Sequence, residues 1–286
     1  MKVAKESLLE RIWRLITPEL IYFGICYLVD IIVGIYWGYS LMGDYISDDL
    51  TVDVEGFTAA LMELLMKYAV LLQTIAALAA IFFLVRMYFN DYKRRRFVFN
   101  KKSVKRPYWL LLIPAGVFAS LAGNMLMNVS ELAEMSESFQ ESEQLLFSGP
   151  FIIQIVGIGI IIPICEELIY RGLIYMRMRQ YLNVNLAIVV SALIFGIVHG
   201  NIVQGIYAFL IGILFAYAYE KYGSLKAPVI LHISANILSL ILTVVNPSFD
   251  SSSMLMGIGM VSVLLCFSVL FVVDKNVSAE RIYFTS

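Results

Sequence analysis

The chain has 286 residues, 60% of them hydrophobic and 15% charged, with a formal net charge of −1 and a mean hydropathy of +0.81. That balance excludes a water-soluble domain, which carries closer to 25% charged residues. The expected surroundings are a lipid bilayer, and no nucleic-acid partner is expected.

A helix needs about 20 mainly apolar residues to cross roughly 30 Å of hydrocarbon. Eight such runs follow one another, near 19–40, 66–89, 108–127, 149–170, 185–200, 203–220, 227–246 and 254–273. The first is too long for a secretion signal and its flank lacks a small-residue cleavage site, so it reads as a retained span.

The connections alternate in charge. Lys2, Lys5, Arg11 and Arg14 precede the first run, and Asp44, Asp48, Asp49, Asp53 and Glu55 follow it with no basic residue among them. Residues 90–107 then hold Lys93, Arg94, Arg95, Arg96, Lys101, Lys102, Lys105 and Arg106. Residues 128–148 are acidic again through Glu131, Glu134, Glu137, Glu141 and Glu143, while Arg177, Arg179, Lys221 and Lys226 mark later turns. Because lysine and arginine stay on the cytoplasmic side, this alternation places both termini in the cytoplasm and makes the span count even. The acidic connections also contain apolar residues such as Phe57, Leu61, Leu64 and Leu65, a pattern of solvated caps or short interfacial helices. Cys26, Cys165 and Cys266 all fall inside runs without metal-ligand spacing and read as packing residues. The expected fold is all-α: a polytopic integral membrane helical bundle of about eight transmembrane helices. It forms a single membrane domain over 1–286, with its chemistry in a core of about 150–245.

An ionisable side chain at membrane depth costs about 2.5–3.5 kcal/mol on insertion scales, so each marks a candidate site. Asp30 lies in the first run. The fourth run contains Glu166, Glu167 and Arg171. Glu167 and Arg171 are one helical turn apart and can pair, which leaves Glu166 facing a different direction. An unpaired carboxylate in low dielectric suits a general acid or base. The chain's two histidines, His199 and His232, both lie within runs. Phe195 shares a helix face with His199, and Gly196 and Gly200 permit close helix approach. One turn separates His232 from Asn236, so imidazole and carboxamide share a face.

These groups form a complete set for hydrolysis. Glu166 and His199 can hold and deprotonate a water, while His232 and Asn236 can donate to a developing oxyanion. Glu166, His199 and His232 could instead ligate zinc with one open position for that water. The absence of a His-Glu-x-x-His motif favours the metal-free alternative. Counted along the spans, these side chains lie roughly 9–21 Å from the cytoplasmic mouth, which places the reaction near the cytoplasmic half of the bilayer.

Glu166-Glu167 with Arg171, Phe195 with His199, and His232 with Asn236, in that order, resemble the three motifs of the CPBP family of intramembrane peptidases. That family includes type II CAAX prenyl endopeptidases and bacteriocin-processing or immunity proteins. The resemblance implies an intramembrane protease, glutamate-type or metallo-endopeptidase. Glu166 and His199 would activate water, His232 and Asn236 would stabilise the oxyanion, and Glu167, Arg171 and Phe195 would support the site. It implies a peptide or lipid-modified protein as substrate and a multi-pass place in a bacterial cell membrane. Two other readings stand beside it. One is a non-catalytic immunity or scaffold protein that binds a peptide or partner. The other is a proton-coupled transporter using Glu166, His199 and Asp30, which the absence of repeated halves weakens.

The charge alternation has a direct test. In a cysteine-free background, Glu137→Cys should react with an impermeant maleimide on intact cells, and Lys105→Cys only after the membrane is opened. Reversal of the two would invert the topology.

Overall fold

The computed structural model describes residues 6–46, 51–93, 97–99, 104–129, 136–147, 149–245 and 252–283. Among the described residues the helices are α1 (Leu8–Leu41), α2 (Val54–Lys67), α3 (Ala69–Tyr92), α4 (Leu112–Val129) and α5 (Glu137–Leu146). They continue as α6 (Phe151–Met178), α7 (Val184–Ile197), α8 (Ile202–Tyr222), α9 (Lys226–Val245) and α10 (Ser252–Asn276). Seven of them, α1, α3, α4, α6, α8, α9 and α10, belong to segments long and apolar enough to cross a membrane. The protein is thus an all-α polytopic bundle. The run expected at 185–200 forms α7, whose 14 residues span about 21 Å at 1.5 Å per residue. That falls short of the hydrocarbon thickness, so among the described residues seven helices are of spanning length and α7 is a shorter apolar one.

Local chemistry sets several helix ends. Ser7 and Glu10 form a reciprocal capping box at the start of α1, satisfying two backbone donors that the helix cannot bond itself. Asn183 accepts from the Leu186 amide at 2.9 Å to open α7, and Asn201 from the Gln204 amide at 2.8 Å to open α8. Gly223 stops α8 with φ +63, a left-handed conformation that a residue without Cβ adopts at little cost. The two acidic connections contain α2 and α5.

Contacts sort the connections into two ends, in the same alternation as their charges. At the basic end Arg177 pairs with Asp91 at 2.5 Å, and Arg179 with Glu220 at 3.4 Å. Tyr181 bonds Glu6, and Arg281 bonds Glu220. A small ribbon, invisible to a count of apolar runs, joins β1 (Phe97–Phe99) to β2 (Arg281–Tyr283), with Val98 opposite Ile282. The chain ends and the 90–107 connection therefore share one end. At the other end Asn201 donates to Ser142 of α5 at 3.4 Å, and Gln154 of α6 to the Phe147 carbonyl at 3.0 Å. Lys2, Lys5, Asp48, Asp49, Arg94, Arg95, Arg96, Lys101, Lys102, Glu131 and Glu134 lie outside the described residues.

α6 is the central helix and it is not regular. Residues Gly157–Ile161 and Leu168–Tyr175 are π-helical, flanking an α-helical stretch Ile162–Glu167 that contains Pro163. Proline has no N–H to give to the preceding turn, and a widened turn accommodates that loss. Small residues let neighbours approach. A Cβ on Gly157 would stand 2.3 Å from Thr74 Oγ1 of α3, and one on Gly159 would stand 2.6 Å from Ile237 Cδ1 of α9.

α7 and α8 meet just as closely. A Cβ on Gly196 would lie 2.6 Å from the Gly205 carbonyl oxygen, so Gly196 serves helix approach as expected. Its partner is Gly205, whereas Gly200 forms the intervening turn with φ +79. Gly196→Ala should therefore force the pair apart at about 1–3 kcal/mol and lower the thermal unfolding temperature in detergent. Gly34→Ala, with nothing within 4 Å, should leave that temperature unchanged or raise it slightly. Equal behaviour of the two would show that the close approach carries no stability.

Candidate active site

The site is built outward from one buried charge. Arg171 Nη1 donates to Glu167 Oε1 at 3.0 Å, and both side chains are 0% exposed. Its Nη2 donates to the Gly212 carbonyl of α8 at 3.0 Å. The guanidinium lies 4.6 Å from the Phe195 ring centroid and 5.2 Å from that of Phe215, where the negative ring faces stabilise a desolvated cation. The pairing read from the one-turn spacing is present.

Glu167 has a second role that spacing does not reveal. The oxygen that holds Arg171 also meets His232 Nδ1 at 2.9 Å. A carboxylate on one ring nitrogen keeps a proton there and fixes the ring's orientation. His232 Nε2 is thereby aimed at Glu166, 3.5 Å from its Oε2. Phe215 stacks on the imidazole at 4.6 Å and 28°, so the ring is held on its edge and its face. Phe215 and Gly212 were not identified from the sequence, because an apolar residue and a glycine in an apolar run carry no signal until the neighbouring helix is known.

His199 lies in the turn between α7 and α8. Its Nδ1 is 2.6 Å from the Phe195 carbonyl, an acceptor only, so Nδ1 carries the proton and Nε2 is left with a free lone pair. The Phe195 ring is 4.8 Å from His199, edge-on, and 6.0 Å from His232. Phe195 therefore packs against both imidazoles and Arg171. Asn236 donates through Nδ2 to the Ile158 carbonyl, at 2.8 Å, within the first π segment of α6. One of its two N–H groups is thus occupied, which fixes the plane of the amide and leaves the other N–H available.

Glu166, His199, His232 and Asn236 all line one cavity of about 860 Å³. The Glu166 side chain is 21% exposed, and that exposure opens into this space. Asp30, from α1, lines the same cavity. The fold thus brings together every candidate residue named from the sequence. The cavity extends to Glu143 and Phe147 at α5 and to Thr243 near the end of α9, all at the acidic end.

Zinc was the one cofactor the residue types admitted. Among the described residues, no three His, Cys, Asp or Glu side chains are gathered closely enough to hold a metal ion. Glu166 and His232 approach to 3.5 Å, but the described geometry does not complete a ligand set with His199. No step is therefore routed through a metal.

Residues 148–238 match the model of a family described as type II CAAX prenyl endopeptidase Rce1-like. The UPF0177 protein YxdF of Lactococcus lactis subsp. lactis (strain IL1403) is 30% identical over 140 residues, which cover 47% of this chain and 76% of that protein. YdiL of Bacillus subtilis (strain 168), whose name proposes a membrane peptidase, is 28% identical over 127 residues, 43% of this chain. The match spans about half of that relative, 51% of its length. No solved structure matches the chain significantly.

The two neighbouring glutamates should separate by stability. Glu167→Gln leaves a fully buried Arg171 without its carboxylate, a loss of about 3–5 kcal/mol for a broken buried pair, and should sharply lower the unfolding temperature in detergent. Glu166→Gln, whose side chain opens into the cavity, should unfold with the wild type. Equal destabilisation in both would undo this division.

Proposed function

The chain belongs to the CPBP family of membrane peptidases, and on that premise we propose that it hydrolyses a peptide bond inside the bilayer by a water that Glu166 and His199 activate. The observation that carries the reading is His232, pinned by Glu167 at 2.9 Å and facing Glu166 at 3.5 Å, on the wall of a cavity it shares with His199 and Asn236.

The division of labour follows from which atoms are already committed. His199 has given Nδ1 to the Phe195 carbonyl, so its Nε2 is an acceptor that can orient one hydrogen of a water. Glu166 takes the proton as the water oxygen attacks the scissile carbonyl carbon. The C–N bond then breaks, and Glu166 returns the proton to the departing amine. During attack the carbonyl oxygen becomes an oxyanion. His232, through Nε2, and the second N–H of Asn236 are its donors in this reading. The buried Tyr170, Phe195 and Phe215 beside the site lower the local dielectric and strengthen each of these interactions.

Purified wild type should cleave a membrane-associated peptide, and Glu166→Gln should abolish turnover while folding normally. No difference between the two would favour a non-catalytic binding protein. Asn236→Ala should lower kcat by about 10²–10³, the cost of one oxyanion donor, with little change in KM. Metal analysis provides a separate check: chelators should leave activity unchanged. One equivalent of zinc in the wild type, lost from both His199→Ala and His232→Ala, would replace the metal-free mechanism with a metallopeptidase.

A further inference from the structure

The two ends of the site cavity differ in kind. Toward the basic end it is closed by buried side chains: Ile169 is 1% exposed, Tyr170 3%, Phe195 1% and Phe215 0%. Toward the acidic end its walls include exposed residues, among them Met66 at the end of α2, Glu143 on α5 and Thr243 on α9. Asn201, two residues beyond His199, bonds Ser142 of α5, so the short path from the imidazole to the surface leads to that end.

Charge follows the same gradient. Asp30, Glu143 and Glu166 line the cavity, and among the described residues none that lines it is lysine or arginine. The connections at that end, residues 42–68, 130–150, 198–201 and 246–251, hold a single lysine, Lys67 at the end of α2, and no arginine, against twelve aspartates and glutamates. Asp30 lies about 16 Å of helix, at 1.5 Å per residue, from the end of α1 at Leu41. A carboxylate at that depth is costly against lipid and is expected beside a water-filled space, which the cavity provides. Phe139, Leu145, Leu146 and Phe147 supply an apolar wall from α5.

We propose that the cavity is entered from the end bearing the acidic connections, the outer face by the charge rule, and that it selects an amphipathic peptide carrying positive charge; the proposal rests on the peptidase reading. A cleft with apolar walls and one sign of charge focuses its field and concentrates the opposite charge at its mouth. The apolar wall of α5 takes the peptide's other face.

The test uses the full chain and does not depend on turnover. Ser239 of α9 lines the cavity, so Ser239→Cys in a background without Cys26, Cys165 and Cys266 reports on the interior. Two impermeant methanethiosulfonates are applied to intact cells, one bearing trimethylammonium and one sulfonate, with rates normalised to a free thiol. The cationic reagent should react about tenfold faster, within the range of electrostatic steering. Glu143→Gln combined with Asp30→Asn should remove that preference, and Glu143→Lys alone should reduce it without touching a buried residue. Reaction only in inverted vesicles, or equal rates for both reagents, would overturn the proposal. In parallel, purified protein is offered two peptides that differ by lysine against norleucine, and the lysine peptide should be cleaved with about tenfold higher kcat/KM. Cleavage of neither, with charge-selective labelling intact, would sink the peptidase reading alone; equal cleavage of both would sink the selectivity.

Discussion

A guanidinium buried in the middle of a membrane bundle sets the terms for everything around it. Arg171 is 0% exposed, and a charge at such depth persists only where the protein supplies the solvation that lipid cannot. That solvation comes from Glu167 on its own helix, from the Gly212 carbonyl of α8, and from the faces of Phe195 and Phe215 on α7 and α8. A Cβ on Gly212 would lie 3.1 Å from Phe195 Cδ1 and 3.2 Å from Arg171 Nη2, so a larger residue there would have to push these side chains aside. The charge therefore fixes the mutual placement of α6, α7 and α8 before any catalytic role is considered.

The same interaction carries over to the site. Glu167 is held by Arg171, and Glu167 holds His232, so the ring of α9 inherits its position from a salt bridge within α6. Glu166, one residue away, remains open to the cavity. Its placement depends on the irregular course of α6, whose π segments lie on both sides of the glutamate pair. Widened turns of this kind recur at functional sites because they re-aim side chains that a regular helix would bury. Asn236 ties α9 to the first of these segments through the Ile158 carbonyl, so α9 is fastened to α6 at both of its polar site residues.

The asymmetry between the two ends has a physical logic. Ion pairs, tyrosine hydrogen bonds and the β ribbon close the basic end, where Tyr175 donates to Glu220 at 2.6 Å and Tyr222 to the Tyr108 carbonyl at 2.7 Å. The acidic end opens over the site. A closed floor and an accessible mouth are what the proposed reaction would need in order to take in a peptide without letting water cross the bundle.

Several features of this protein follow from the sequence alone, each because a local rule decides it. Hydrophobic runs decide the helices, since lipid leaves backbone groups no other partner. Alternating charges sort the connections, and the contacts of Arg177, Arg281 and Asn201 group the ends in the same way. The cost of buried charge singled out Glu166, Glu167, Arg171, His199 and His232, and helical spacing alone predicted the Glu167 to Arg171 pair. What tertiary structure decided is everything that requires knowing which helix lies beside which. The hold of Glu167 on His232 spans 65 residues of chain, the stacking of Phe215 involves a residue with no polar signature, and Gly196 found its partner in Gly205 across a turn. The mouth of the cavity belongs to the same class. A run of apolar residues reports that a helix is embedded, but its stagger, its π turns and the direction in which its polar side chains open are set by packing against neighbours that no local pattern encodes.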